Sequence, residues 1–180
     1  DESIRAKKIA QALIKLGAKN GDTIATMAWS NLRHYELYFG VSGIGSICHT
    51  INPRLFPEQL VFIINDAKDK FLFIDLDFIP LVEKLIQQIP SIEKIIVLCD
   101  KSSMPKSSII DNLICYEELI NNEGGDFDWP IFDEKTASSL CYTSGTTGNP
   151  KGVLYAHRST VIHAFAAAAP DAMNLSAKDV

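Results

Sequence analysis

Phe71-Leu72-Phe73-Ile74, a helical pattern from Asp77 to Ile89, and then Lys94-Ile95-Ile96-Val97-Leu98 together set the fold class of this sequence. Neither short run alternates apolar with polar residues, as a half-exposed strand does, so both read as strands buried on two faces. Between them Leu81, Val82, Leu85, Ile86 and Ile89 recur at helical spacing and predict an inward-facing stripe. Strand, helix, strand in this order predicts a parallel pair joined by a helical crossover.

The same alternation extends upstream. Pro57 suits a helix start, and Leu60, Ile63, Ile64 and Ala67 give that helix an inner face. Ser46 to Thr50 reads as a strand, as does Thr23-Ile24-Ala25-Thr26-Met27-Ala28. Asn31 is placed to cap a helix with Leu32, Tyr35 and Phe39 on one side. Ile4, Ile9, Ala12, Leu13 and Leu16 mark a first helix that Gly17 ends, with Asn20-Gly21-Asp22 as the turn that follows. The expectation is an α/β fold, a mostly parallel sheet flanked by helices in three layers.

Composition sets outer bounds. The chain has 180 residues, 47% hydrophobic and 22% charged, the balance of a globular domain with a sizeable core. Net charge is −5 and the signs are interspersed, so no basic block points to nucleic acid or an anionic membrane. No run is long enough for a transmembrane helix. Cys48, Cys99, Cys115 and Cys141 are widely spaced and form no Cys-x-x-Cys pair, which argues against a zinc site or a disulfide scaffold. A reducing cytoplasm is the simplest setting for them. The chain opens at Asp1 without an initiator methionine or signal pattern, and reads as a segment of something longer.

After Asp100 the character changes. The polar stretch 101–108 and the segment 121–128 around Gly124-Gly125 read as surface loops, separated by a short helix near Tyr116 to Ile120. The expected organisation is therefore an α/β sub-structure over 1–100, a loop-rich connection over 101–133, and a distinctive loop with a following helix over 134–180.

That loop is Thr143-Ser144-Gly145-Thr146-Thr147-Gly148-Asn149-Pro150-Lys151-Gly152, set between the strand-like Ser139-Leu140-Cys141-Tyr142 and Val153-Leu154-Tyr155. Its ten residues hold three glycines, four hydroxyls and one lysine. Glycines let successive N–H groups converge on one anion, hydroxyls donate to phosphate oxygens or ligate Mg²⁺, and a lysine supplies full charge. A bare hairpin turn accounts for Gly148-Asn149-Pro150 but not for the Thr-Ser-Gly-Thr-Thr before it. A Walker P-loop is excluded. Counted from Gly145, Pro150 stands where the second glycine belongs, Gly152 where the Ser/Thr belongs, and a strand pattern follows instead of a helix.

Tyr142 to Val153 resembles, over twelve consecutive positions, the signature loop of the adenylate-forming superfamily of acyl-CoA synthetases, adenylation domains and luciferases. Leu16-Gly17-Ala18-Lys19-Asn20-Gly21-Asp22-Thr23-Ile24-Ala25 resembles that family's entry to its first strand, and Asn52-Pro53-Arg54-Leu55 with Glu58-Gln59-Leu60 another of its segments. Asn52 to Phe56 and Tyr155-Ala156-His157-Arg158 look most like bacterial medium- or long-chain fatty-acyl-CoA ligases, of which this would be an N-terminal part.

The resemblance implies the substrates fatty acid, ATP and CoA, with Mg²⁺ as metal. It implies phosphate or cofactor contacts at Thr143, Ser144, Gly145, Thr146, Thr147, Gly148 and Lys151, with Thr143 first and Thr146 second for the metal. It also implies that the catalytic lysine, the CoA site and most of the carboxylate pocket lie beyond this segment, which alone would be inactive. Some relatives dimerise through their front domain, so a homodimer is open. The alternatives are another adenylate-forming enzyme, such as a peptide-synthetase adenylation domain or a luciferase-like protein, and a stand-alone nucleotide-binding or scaffold module. Among the remaining residues, His34, His49 and His163 have no partner in sequence and read as structural. His157 reads as capping or packing, Arg158 as a surface ion pair, and Asn52 and Arg54 as fold-supporting.

Overall fold

A computed structural model describes residues 1–143, 149–176 and 178–179. Its seven strands are β1 (Thr23–Met27), β2 (Ile47–Thr50), β3 (Phe71–Ile74), β4 (Lys94–Val97), β5 (Ile114–Cys115), β6 (Ala137–Thr143) and β7 (Lys151–Ala156). They form one sheet in the order β5-β4-β3-β1-β2-β6-β7. Every neighbouring pair is parallel except the last, the antiparallel β6–β7 hairpin. The helices are α1 (Glu2–Lys15), α2 (Leu32–Ser42), α3 (Pro57–Ala67), α4 (Ile79–Leu85), α5 (Tyr116–Asn121) and α6 (His157–Ala168).

The uninterrupted apolar strands are explained by two cores, one on each face of the sheet. Leu72, Ile74, Ile95 and Val97 pack with Leu60, Ile63, Ile64, Val82 and Leu85 of α3 and α4. Phe71, Phe73 and Ile96, the alternate positions of the same strands, pack with Ile9, Leu13, Leu37, Val41, Tyr116 and Ile120 of α1, α2 and α5. Local signals set the helix ends. Asp1 accepts from the Ser3 N–H at 2.9 Å, Asn31 accepts from the His34 N–H at 3.0 Å, and Pro57 opens α3. Gly17 takes φ 96°, a left-handed value open to glycine, just past the end of α1.

Residues 101–133 are not all loop. Ile114–Cys115 adds a two-residue edge strand, and α5 lays Tyr116 and Ile120 into the second core. An ion-paired network ties this face together. Glu36, fully buried, accepts from Arg5 and from the Tyr116 hydroxyl, and Glu117 accepts from both Arg5 and Arg33. These two arginines hold the Glu117 carboxyl below its usual range, against a burial effect of opposite sign.

Chain direction fixes where ligands have room. β1 leads through α2 to β2 on one side, and β2 leads through α3 on the other face back to β3 on β1's far side. Crossovers that diverge in this way leave a crevice at the carboxyl ends of the strands, the usual ligand position in open parallel sheets. Because β6 is parallel to β2, Thr143 and the start of the loop lie at that carboxyl edge.

Candidate functional site

The β6–β7 hairpin carries the loop. Its ladder pairs Leu140 with Leu154, Cys141 with Val153, Tyr142 with Gly152 and Thr143 with Lys151. The last pair stands at the base of the loop, and both residues are exposed. The Thr143 hydroxyl lies 3.5 Å from the Lys151 carbonyl, too long for more than a weak bond. Of the residues expected to hold phosphate, Thr143 and Lys151 are thus brought face to face. Ser144, Gly145, Thr146, Thr147 and Gly148 lie outside the described residues.

Strand pleating sends Tyr142 and Gly152 to the opposite side of the hairpin from Thr143 and Lys151. There the Tyr142 ring packs against the α3–α4 core, and its hydroxyl donates to Asp66 Oδ2 at 2.6 Å. Burial, then the Asp66 hydrogen bond, raises the Tyr142 pKa well above the ordinary phenol value. The His49 imidazole lies 5.2 Å from the same ring at 47°. His49 Nδ1 is 2.7 Å from Asp69 Oδ2, with both side chains fully buried. Burial pushes the Asp69 carboxyl up, and the His49 contact offsets part of that rise.

Gly152 has a spatial reason to be glycine. A Cβ there would stand 3.2 Å from Tyr142 Cζ and 3.2 Å from Leu140 Cδ1, tighter than ordinary packing. The sequence gives no sign of the Tyr142–Asp66 bond, which spans 76 residues, and a lone His49 reads as structural, as its burial here agrees.

The loops at the neighbouring strand ends are closely organised. Asp75 accepts from the Trp29 N–H at 2.6 Å and from Asn31 Nδ2 at 3.3 Å. The Trp29 indole donates to Asp77 and packs on Phe78, while the Arg54 guanidinium sits 6.0 Å over its ring. Asn52 Oδ1 accepts from the Arg54 N–H, so this segment supports the loop in which it lies. His34 is buried beneath, its Nε2 3.0 Å from Thr26 Oγ1. At the far end of β7, His157 opens α6 and packs on Phe132 at 4.9 Å, and Arg158 pairs with Glu134 on the surface. Among the described residues no cluster of three His, Cys, Asp or Glu side chains could hold a metal. No described helix is long and apolar enough to cross a membrane.

Comparison with known proteins agrees with this architecture. A match to the AMP-binding enzyme family runs over residues 3–180. The chain is 52% identical over 175 residues to the 3-methylmercaptopropionyl-CoA ligase of Ruegeria lacuscaerulensis, covering 97% of this chain and 32% of that protein. It is 49% identical over 176 residues to the medium-chain-fatty-acid–CoA ligase of Ectopseudomonas oleovorans, covering 98% and 32%. In three dimensions it superposes on the anthranilate CoA ligase AuaEII, solved with anthranoyl-AMP, with a TM-score of 0.84 at 26% identity over 91% of this chain and 30% of that one. The chain therefore spans about a third of the length of these relatives, and its own length is matched almost end to end. With Thr143, where the twelve-residue signature departs, at the carboxyl edge of a mostly parallel sheet and a match over 3–180, the chain belongs to the AMP-binding enzyme family of the adenylate-forming superfamily.

Proposed function

We propose that the whole protein is an ATP-dependent fatty-acid–CoA ligase, and that this chain contributes its triphosphate-holding hairpin. The observation that carries the proposal is the pairing of Thr143 with Lys151 at the base of the hydroxyl- and glycine-rich loop, on the edge where parallel sheets bind ligands. The names of the two close relatives, both CoA ligases, support the product class.

In the reaction proposed, a fatty-acid carboxylate oxygen forms a bond to the α-phosphorus of ATP while the bond to the β-phosphate oxygen breaks. Pyrophosphate leaves carrying the electron pair. The CoA sulfur then bonds to the acyl carbon, AMP departs, and the thiol proton passes to solvent. The residues of this chain act on the departing end. Ser144, Thr146 and Thr147 donate hydroxyl hydrogen bonds to the β- and γ-phosphates, with the Gly145 and Gly148 backbone alongside, and Lys151 opposes the charge that grows there. Positioning and charge stabilisation of this kind are the main protein contributions to phosphoryl-type chemistry.

Thr143, with Thr146 second, is the proposed contact for Mg²⁺, which when bound would further neutralise phosphate charge. The Thr143 hydroxyl is a hard oxygen donor of the kind Mg²⁺ takes, exposed at the stem of the loop. Four cysteines without disulfides support a reducing cytoplasm as the setting. A homodimer is the oligomeric state to test by sedimentation.

The test compares two samples supplied with a medium- or long-chain fatty acid, ATP, Mg²⁺ and CoA. The whole protein should release pyrophosphate and form acyl-CoA; the 180-residue chain alone should release none above background. Stable acyl-adenylate without any thioester would instead indicate a different adenylate-forming activity. No carboxylate-dependent pyrophosphate release by the whole protein would remove the proposal.

A further inference from the structure

We propose that Asp66, together with the buried His49–Asp69 pair, positions the phosphate loop through Tyr142, acting as an anchor for the hairpin stem; the inference deepens the ligase reading and rests on it for its kinetic consequence. The need for such an anchor follows from strand lengths. β6 runs to Thr143, but its register with β2 consists of Cys48 with Ser139 and His49 with Leu140, and stops there. Residues 141–143 and their partners 151–153 project past that ladder, held to one another but without further backbone bonds to the rest of the sheet. Beyond Leu140 the Thr50 hydroxyl meets Cys141 Sγ only at 3.5 Å, a weak contact.

Tyr142 supplies the missing lateral tie. Its ring lies across Gly152 on the outer strand, meets the His49 imidazole above β2, and reaches α3 through the 2.6 Å bond to Asp66. One side chain thus connects both arms of the hairpin to a neighbouring strand and a helix. His49 is a fixed surface for that ring, because Asp69 holds its Nδ1 at 2.7 Å in a site sealed from solvent. Asp66 is exposed in the last turn of α3, so nothing about α3 packing requires its carboxylate. None of these groups reaches the face on which Thr143 and Lys151 lie, so they are positioning residues and touch no reacting atom. Their effect is to hold Thr143, next in sequence to Tyr142, and Lys151, next to Gly152, in one place relative to the sheet edge. Small displacements of phosphate-holding groups lower rates severely, which is why a remote clamp bears on function.

The experiment uses the whole protein with Tyr142→Phe, which keeps the ring and deletes the hydroxyl, Asp66→Ala, and the double variant. Steady-state assays should show the KM for ATP raised about three- to tenfold in each single variant, with the fatty-acid KM unchanged. The double variant should be no worse than either single one, since all three lose the same bond. Asp66→Asn, whose amide oxygen still accepts from the phenol, should restore most of the ATP affinity. In parallel, hydrogen exchange at the amides of residues 141–143 and 151–153 should quicken in Tyr142→Phe and Asp66→Ala with exchange in β1 and β3 unchanged. The second readout judges the anchor whether or not the protein activates a carboxylate, so failure of the ligase reading shows separately, as absent activity in the wild type. Unchanged exchange at the stem in both single variants would overturn the anchor. So would unchanged ATP KM in an active wild-type background, or single effects that simply add in the double variant.

Discussion

Lys151 and Tyr142 lie on opposite faces of one hairpin stem. In the proposed reading Lys151 carries the charge, while Tyr142, packed on the core, carries the geometry. If Lys151 opposes pyrophosphate charge in the transition state, Lys151→Met in the whole protein should lower kcat/KM for ATP about ten- to a hundredfold, the worth of one charged hydrogen bond. The fatty-acid KM should stay put, and a variant with unaltered ATP kinetics would contradict the role.

His34 contributes to acid sensitivity. Burial drives the His34 pKa below the ordinary imidazole value, outweighing the pull of the Asp75 carboxylate. The unfolded chain, with a pKa of about 6.5, therefore takes up a proton before the folded chain does. Stability from neutral His34 is complete above about pH 6.5 and drains away as the pH falls towards the lower folded value. His157, also lowered by burial, tilts stability the same way, whereas the raised Asp69 carboxyl tilts it the other way. Both are common to wild type and a His34→Asn variant, so their difference isolates His34. Urea midpoints measured from pH 7.5 to 5.5 should fall less steeply in the variant; parallel slopes would count against the assignment.

Among the elements, α2 separates what periodicity can say from what it cannot. Leu32, Tyr35 and Phe39 do share one side, but that side is exposed, at 50%, 54% and 51%. The face that packs carries Leu37, Gly40 and Val41, with the buried Glu36 beside them. Spacing revealed a stripe without revealing which of two stripes meets α1, because the answer depends on a glycine and an ion pair that hydropathy does not score. At Gly40 α2 lies close against α1: a Cβ there would lie 2.2 Å from Ile9 Cγ2 and 3.2 Å from the Ala6 carbonyl. Gly40→Ala should accordingly destabilise the protein by about 1–3 kcal/mol despite its better helix propensity. Chemical denaturation reads this directly, and a neutral or stabilising result would show that the helices can separate at no cost.

β5 is a second such case. A helix over Tyr116 to Ile120 is legible from its pattern, but two residues of edge strand leave no periodic signal to find. Tyr142's ties to Asp66 and His49 were equally hidden, since long-range side-chain pairing has no local signature.

For the whole molecule, the alternation of strands and helices carried the architecture almost unaided. Continuous apolar runs predict burial on both faces, and the two cores occupy alternate positions of the same strands. Sheet order was not legible, because it depends on which face each crossover takes; that choice places β1 between β2 and β3 and puts β6 beside β2. The parallel direction of β6 along β2 then brings Thr143 to the carboxyl edge, where the proposed chemistry is placed.

The proposed reaction is attack of a carboxylate on the α-phosphorus of ATP, with this chain holding the end that leaves. Its most direct measurement supplies the whole protein with a fatty acid carrying ¹⁸O in both carboxyl oxygens, together with ATP, Mg²⁺ and CoA. Each turnover should place one ¹⁸O in the phosphate of AMP and none in pyrophosphate. Label appearing in inorganic phosphate, with ADP as the nucleotide product, would contradict it.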